Sequence, residues 1–208
     1  VKNYQTLLKI SEEAISYAKK DLEKSFKLIE NIDDSVLFEL TLYKISKELL
    51  HINKTKSFEI VNNLSEKYFY GLKAYEKVIN KEEVEIDNII KLLKNNYNKK
   101  QMKYHIYYIL EVGISISENY PFKALDILNF INNTYKVFGE LPHETLDLSV
   151  DIVFSIAKNK SIEEALNYLN IIEIDYYKIK VLDKLLALDL PKNEYEKLNL
   201  LKKEFENL

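Results

Sequence analysis

Apolar residues recur along this chain in one short pattern: two, three and six positions after an anchor. From Phe26 the offsets give Leu28, Ile29 and Ile32, and from Phe58 they give Ile60, Val61 and Leu64. Ile90 is followed by Leu92 and Leu93 before Asn96 breaks the last position. Leu125 gives Ile127, Leu128 and Ile131, and Leu166 gives Tyr168, Leu169 and Ile172. Leu198 gives Leu200 and Leu201, then fails at Glu204. Offsets of three and six lie on one face over about two turns, which predicts a short amphipathic helix at each anchor. The anchors stand 32, 32, 35, 41 and 32 residues apart, a period that belongs to stacked helical hairpins.

The residue before the anchor is small in four cases, Ser25, Ser57, Ala124 and Ala165, against Ile89 and Lys197 in the other two. A small side chain at a fixed helix position lets a neighbouring helix come close. Longer helices are predicted between the short ones, around Ile10, Leu42, Ala74, Ile106, Val150 and Leu182, each followed by further apolar positions about one turn on. Ser161-Ile-Glu-Glu164 has the spacing of a capping box, Thr55 and Ser65 are candidate caps, and Pro121 and Pro142 suit a first turn. Pro191, after "LLALDL", should stop the helix before it. Gly71 and Gly113 fall inside predicted long helices, where close packing is the reason to accept their cost.

The prediction is therefore one all-α domain over 1–208 with six hairpins, at approximately 4–32, 35–65, 66–95, 100–133, 143–173 and 175–206. The two longer intervals place extra residues at "NYP" and, more substantially, at "YKVFGELPHET". The second insertion holds Gly139 and Pro142 and is expected to project as a loop.

Composition narrows the classes. Three Gly and three Pro are too few for a turn-rich sandwich or barrel. The formal charge of −3 is spread evenly, with no basic stripe to neutralise phosphates, so nucleic acid is not expected as a partner. The absence of Cys excludes disulfides and thiolate chemistry. No apolar run has the length of a membrane span, and "VKNYQTLLKI" lacks a signal-peptide core, so a cytoplasmic location is the expectation.

"PFKALDILNFI" and "IEEALNYLNII" resemble the second helix of a tetratricopeptide repeat, where an acidic–Ala–aliphatic run is common. The period here is 32 rather than 34, and the usual first-helix motif residues are replaced, so a HEAT-like hairpin is the other form this pattern can take. The resemblance implies a right-handed α-solenoid and a protein-interaction scaffold, with a groove lined by the first helix of each hairpin.

One column of residues fits such a groove. Tyr43, Tyr75 and Tyr107 stand 32 residues apart at one place in consecutive long helices, preceded by Ser11 and followed, allowing for the insertions, by Asp151 and Asp183. Aromatic faces with a hydroxyl edge give a peptide large contact area at low entropic cost, and the two Asp would meet a basic segment. The same side of these helices carries Leu8, Leu40, Leu72 and Leu148, so the column can equally be packing between adjacent repeats.

Other chemistry has thinner support. Glu48-Leu-Leu-His51 and Glu140-Leu-Pro-His143 share the Glu-x-x-His spacing of di-iron bundles, but the second copy contains Pro142 in the insertion and the two lie in distant hairpins. No metal or other cofactor is expected. His105 has no Ser or Asp partner at a useful spacing, and Glu82, Glu83, Glu85 and Asp87 read as favourable charge at a helix start. The functional expectation is a non-enzymatic scaffold for a protein or peptide. A second expectation is a subunit of a larger assembly, a homodimer included, joined through Leu200, Leu201 and Phe205 or through the loop at Val137 and Phe138. A third is an all-helical enzyme or small-molecule binder with a pocket in the groove, for example through Glu48 and His51.

Overall fold

The computed structural model describes residues 2–96, 102–136 and 139–207. Among them the protein is all-helical, with no strand. The helices are α1 (Tyr4–Tyr17), α2 (Leu22–Ile29), α3 (Ser35–Leu49), α4 (Lys54–Val61), α5 (Lys67–Ile79) and α6 (Glu83–Asn95). They continue as α7 (Met102–Ile116), α8 (Pro121–Tyr135), α9 (Glu144–Asn159), α10 (Ile162–Asn167), α11 (Asp175–Leu186) and α12 (Lys192–Glu206). A 3-10 turn, Leu169–Ile171, follows α10. Each even-numbered helix carries one sequence anchor and each odd-numbered helix one long-helix core position.

The chain forms two compact units, Val1–Glu85 and Ile86–Leu208. In the first, α1 packs on α2 and α3, α3 on α4 and α5, and α4 on α5. The doubled sequence is a doubled structure in atomic detail. Asp21 caps α2 by accepting from the Lys24 amide at 3.1 Å, and Asn53, 32 residues on, caps α4 by accepting from the Lys56 amide at 3.0 Å. The two caps share one backbone conformation, φ −154° and ψ 81° against φ −150° and ψ 81°. The fully buried Ser25 hydroxyl donates to the Ala14 carbonyl at 2.6 Å, and its counterpart Ser57 donates to the Ser46 carbonyl. A serine thus sits where short and long helix touch, satisfying its hydroxyl at the point of closest approach. Ala124 and Ala165, at the same register, are likewise fully buried.

Two apolar clusters form in the first unit among the described residues. One gathers Leu7, Ala14, Ile29, Leu37 and Ile45; the other gathers Tyr43, Leu50, Val61, Tyr68 and Leu72. Between α1 and α3 a buried pair, Ser11 and Thr41, is joined at 2.6 Å. Glu76 of α5, 7% exposed, is held by Lys54 at 3.0 Å and Lys77 at 3.3 Å, which pins the start of α4 to α5.

In the second unit α7 packs on α8 and α9, α8 on α9, α9 on α10 and α11, and α11 on α12. Gly113 explains itself here: a Cβ would stand 3.1 Å from Leu148 Cδ2 and 3.2 Å from Ile127 Cγ2, so α8 and α9 both close on α7 at that residue. His105, buried on α7, contacts the Leu93 carbonyl through Nε2 and meets Tyr108 edge-on. Lys94 and Lys123 pair with Asp126 and Asp87, each at 2.6 Å, and tie α6 to α8. A further cluster joins Ile162, Leu182, Leu185 and Leu198.

Two expected caps fall elsewhere. Thr55 is inside α4, because Asn53 caps it; an amide oxygen outcompetes a β-branched hydroxyl two residues on. Ser65 spends its hydroxyl and its amide on the Glu39 carboxylate instead of capping α5. Ser161 caps α10 as the spacing predicts, accepting from the Glu164 amide at 3.0 Å, and Pro121 opens α8.

Candidate functional site

The three tyrosines of the sequence column have three different fates. Tyr43 is 2% exposed and stacks on Tyr68 of α5 with ring centroids 4.7 Å apart. Tyr75 is half-buried against the same cluster, and the Lys47 ammonium lies 4.5 Å from its ring and 5.6 Å from that of Tyr43. Tyr107, in the second unit, is 37% exposed. Tyr43 therefore has no face left to offer a ligand, and its environment is that of a core residue. Tyr75 already carries a cation on its ring, in the place where a cationic ligand group would sit.

The two aspartates are also engaged within the second unit. Asp151 lies 3.6 Å from Lys184, Asp147 lies 3.6 Å from Lys180, and Asp183 lies 2.7 Å from Lys202, which also reaches Glu206 at 3.5 Å. Acids on α9 and bases on α11 thus face one another one helical turn apart. Lys184 and Lys158 both lie over the Phe154 ring, at 4.7 and 5.3 Å. Burial pushes the Asp151 carboxyl above the ordinary aspartate value; Lys184 opposes that shift and Asp147 adds to it.

The sign of that shift yields a testable result. An acid whose folded pKa is raised favours the fold most when protonated. Its contribution is complete below the unfolded value and is lost as pH rises through the folded one, leaving a net cost at neutral pH. The Asp151 side chain is 42% exposed, so solvent weakens both the burial cost and the pair with Lys184, and the net effect is small. Asp151→Asn is expected to raise thermal stability slightly at pH 7, with the gain vanishing as the pH approaches 3. A loss of stability at pH 7 would mean that the Lys184 pair outweighs burial.

The metal-like spacings come to nothing shared. Glu48 pairs with Lys19 at 3.2 Å and His51 is exposed, while His143 is exposed and lies 3.5 Å from Glu144. No group of three metal-ligating side chains forms among the described residues. Glu82 pairs with Lys77 at 3.0 Å. Val137 and Phe138 lie outside the described residues.

The long insertion instead borders a cleft of about 610 Å³ in the second unit. Its walls are Leu128 of α8, Leu141 and Pro142 of the loop, Leu146 of α9, and Ile171 with Ile174 before α11. Thr145 fixes the loop to α9, its hydroxyl and amide both donating to the Pro142 carbonyl, at 2.6 and 3.0 Å. Gly139, at φ 136°, makes the turn into the loop with a conformation that L side chains rarely adopt. Lys136 and Glu173 pair at 2.6 Å on the rim, each more than half exposed. The sequence signal for this cleft was the length of the insertion. The Ile171 and Ile174 wall was not foreseen, because "LNYLNII" continues the helical spacing while the chain leaves α10 at Asn167.

No helix among the described residues is long and apolar enough to cross a membrane. No family model matches this chain, and no curated protein or solved structure matches it.

Proposed function

We propose that the protein is a non-enzymatic interaction module, a tetratricopeptide-like or HEAT-like α-solenoid of six hairpins that binds a protein or peptide partner. The observation that carries this reading is the order of packing inside each unit. Among the described residues, the helix pairs in extensive contact are each a helix and the next or the next but one, as in α1–α3–α5 and in α7–α9–α11. Elements that bury themselves only against sequence neighbours leave long helix faces open on either side, and such faces are what repeat proteins use for binding. The atomic repetition of hairpin one in hairpin two supports the same reading.

The test is co-purification from native lysate through a sizing column. A protein partner that remains in stoichiometric amount supports the module. A chain that elutes without protein partners but with a tightly held small molecule or metal ion contradicts it. A second reading, self-association, is favoured by Leu200 on α12, which is 64% exposed beside half-buried Leu201. A solution mass of twice the chain mass that falls to one on Leu200→Glu would establish that form.

A further inference from the structure

The loop-bordered cleft has the chemistry of a peptide site, and three features together restrict its occupant. Its apolar lining comes from Leu128 of α8, Leu141 and Pro142 of the inserted loop, Leu146 of α9 and Ile171 with Ile174 before α11. Ile174, at the edge, is 46% exposed, so apolar surface is open to solvent where the cleft begins. At about 610 Å³ the cleft is within the size range of ligand clefts.

Polar side chains make up half of the lining and differ in their engagement; the Thr145 and Ser149 hydroxyls already donate to the Pro142 and Leu146 carbonyls. Asn132, half-buried on α8, lines the cleft and makes no side-chain hydrogen bond among the described residues. A primary amide accepts and donates at once, which matches the alternating carbonyl and amide of an extended backbone. Lys136 and Glu173 neutralise each other across the rim. Glu140, exposed on the loop, has no ion pair among the described residues, so the rim carries one uncompensated carboxylate. His143 beside it is engaged with Glu144 at 3.5 Å.

We propose that this cleft holds an extended segment of a partner protein, with an aliphatic side chain between the Leu, Pro and Ile walls and a neighbouring Lys or Arg on Glu140. The Asn132 amide pairs with the segment's backbone. The proposal rests on the interaction-module reading and names the place and the chemistry of its ligand. Apolar burial supplies most of the affinity and the rim charge selects the flanking residue, in keeping with a desolvated anchor and a polar rim.

The test uses the whole chain as bait for a displayed library of random peptides, with two variants run in parallel. Ile174→Lys puts a charge at the mouth, and Glu140→Lys reverses the rim. Both positions are exposed, so helical circular dichroism should match the wild type. The expected result is a consensus with an aliphatic residue next to Lys or Arg, and binding of a synthetic consensus peptide that falls about tenfold or more on each variant. Peptides that bind wild type and both variants equally would overturn the cleft while leaving the interaction module standing. An acidic consensus would overturn the assignment to Glu140. No enriched peptide on any of the three proteins would overturn both readings.

Discussion

Replacing Tyr43 with Ala lowers the stability of the Val1–Glu85 unit by about 3–5 kcal/mol, the usual range for deleting a buried aromatic ring. The ring is 2% exposed, stacks on Tyr68 at 4.7 Å, and belongs to the cluster with Leu50, Val61 and Leu72. Its removal leaves a cavity against Tyr68 and the rest of that cluster. Tyr75→Ala should cost less, because that ring is only half-buried against the cluster, with Lys47 over its face. Tyr107→Ala, at a position 37% exposed, should stay within about 1 kcal/mol. The measurement is denaturation of the three single variants followed by helical circular dichroism. Equal costs at all three positions would contradict the burial gradient.

Ser57→Leu has an effect of similar size for the opposite reason. Ser57 is fully buried where α4 crosses α3, and its hydroxyl donates to the Ser46 carbonyl. Three added carbons have no space there, and overpacking of about 3 kcal/mol combines with about 1 kcal/mol for the lost hydrogen bond. Ser57→Ala should cost only about 1 kcal/mol, because Ala occupies the same register at Ala124 and Ala165 with full burial. The contrast between Ala and Leu separates a contact set by size from one set by the hydroxyl. If Leu is tolerated as well as Ala, the short helix does not rest on this residue. Ser25→Leu in the first hairpin is expected to repeat the result, since its bond to Ala14 is the same bond one repeat earlier.

Helix positions were legible in the sequence because the apolar spacing and the small residue before each anchor report the same contact. Ser25, Ser57, Ala124 and Ala165 all reach zero exposure, which is why a small side chain recurs there. The glycine at 113 was legible as close packing for a similar reason. The tyrosine column was legible as a register and not as an environment. Whether a residue one step beyond the core is covered depends on what the next helix presents. Tyr68 covers Tyr43 from α5, whereas Tyr75 packs only partly against the same cluster and carries Lys47 on its ring.

The aspartates show the same limit from the side of charge. Lys184 and Lys202 sit in other helices, and no spacing within α9 or α11 shows that they reach Asp151 and Asp183. The cleft was half legible. An insertion with Gly139 and Pro142 marks a loop, but its far wall depends on the chain leaving the helical path after Asn167. Tyr168 at φ −101° and ψ 3° ends α10, and Ile172 turns to extended backbone after the 3-10 turn. Apolar spacing alone does not record that exit, since Leu169 and Ile172 are buried either way.

In the proposed solenoid each hairpin is stabilised by its sequence neighbours, which leaves helix faces open for a partner. Hydrogen exchange of Tyr43→Ala against wild type, read by mass spectrometry peptide by peptide, tests it directly. Protection is expected to fall in α3, α4 and α5, which pack around the deleted ring, and to be retained in α9 and α11. A uniform loss of protection across all the described helices would contradict it and would place Tyr43 in a single closed core.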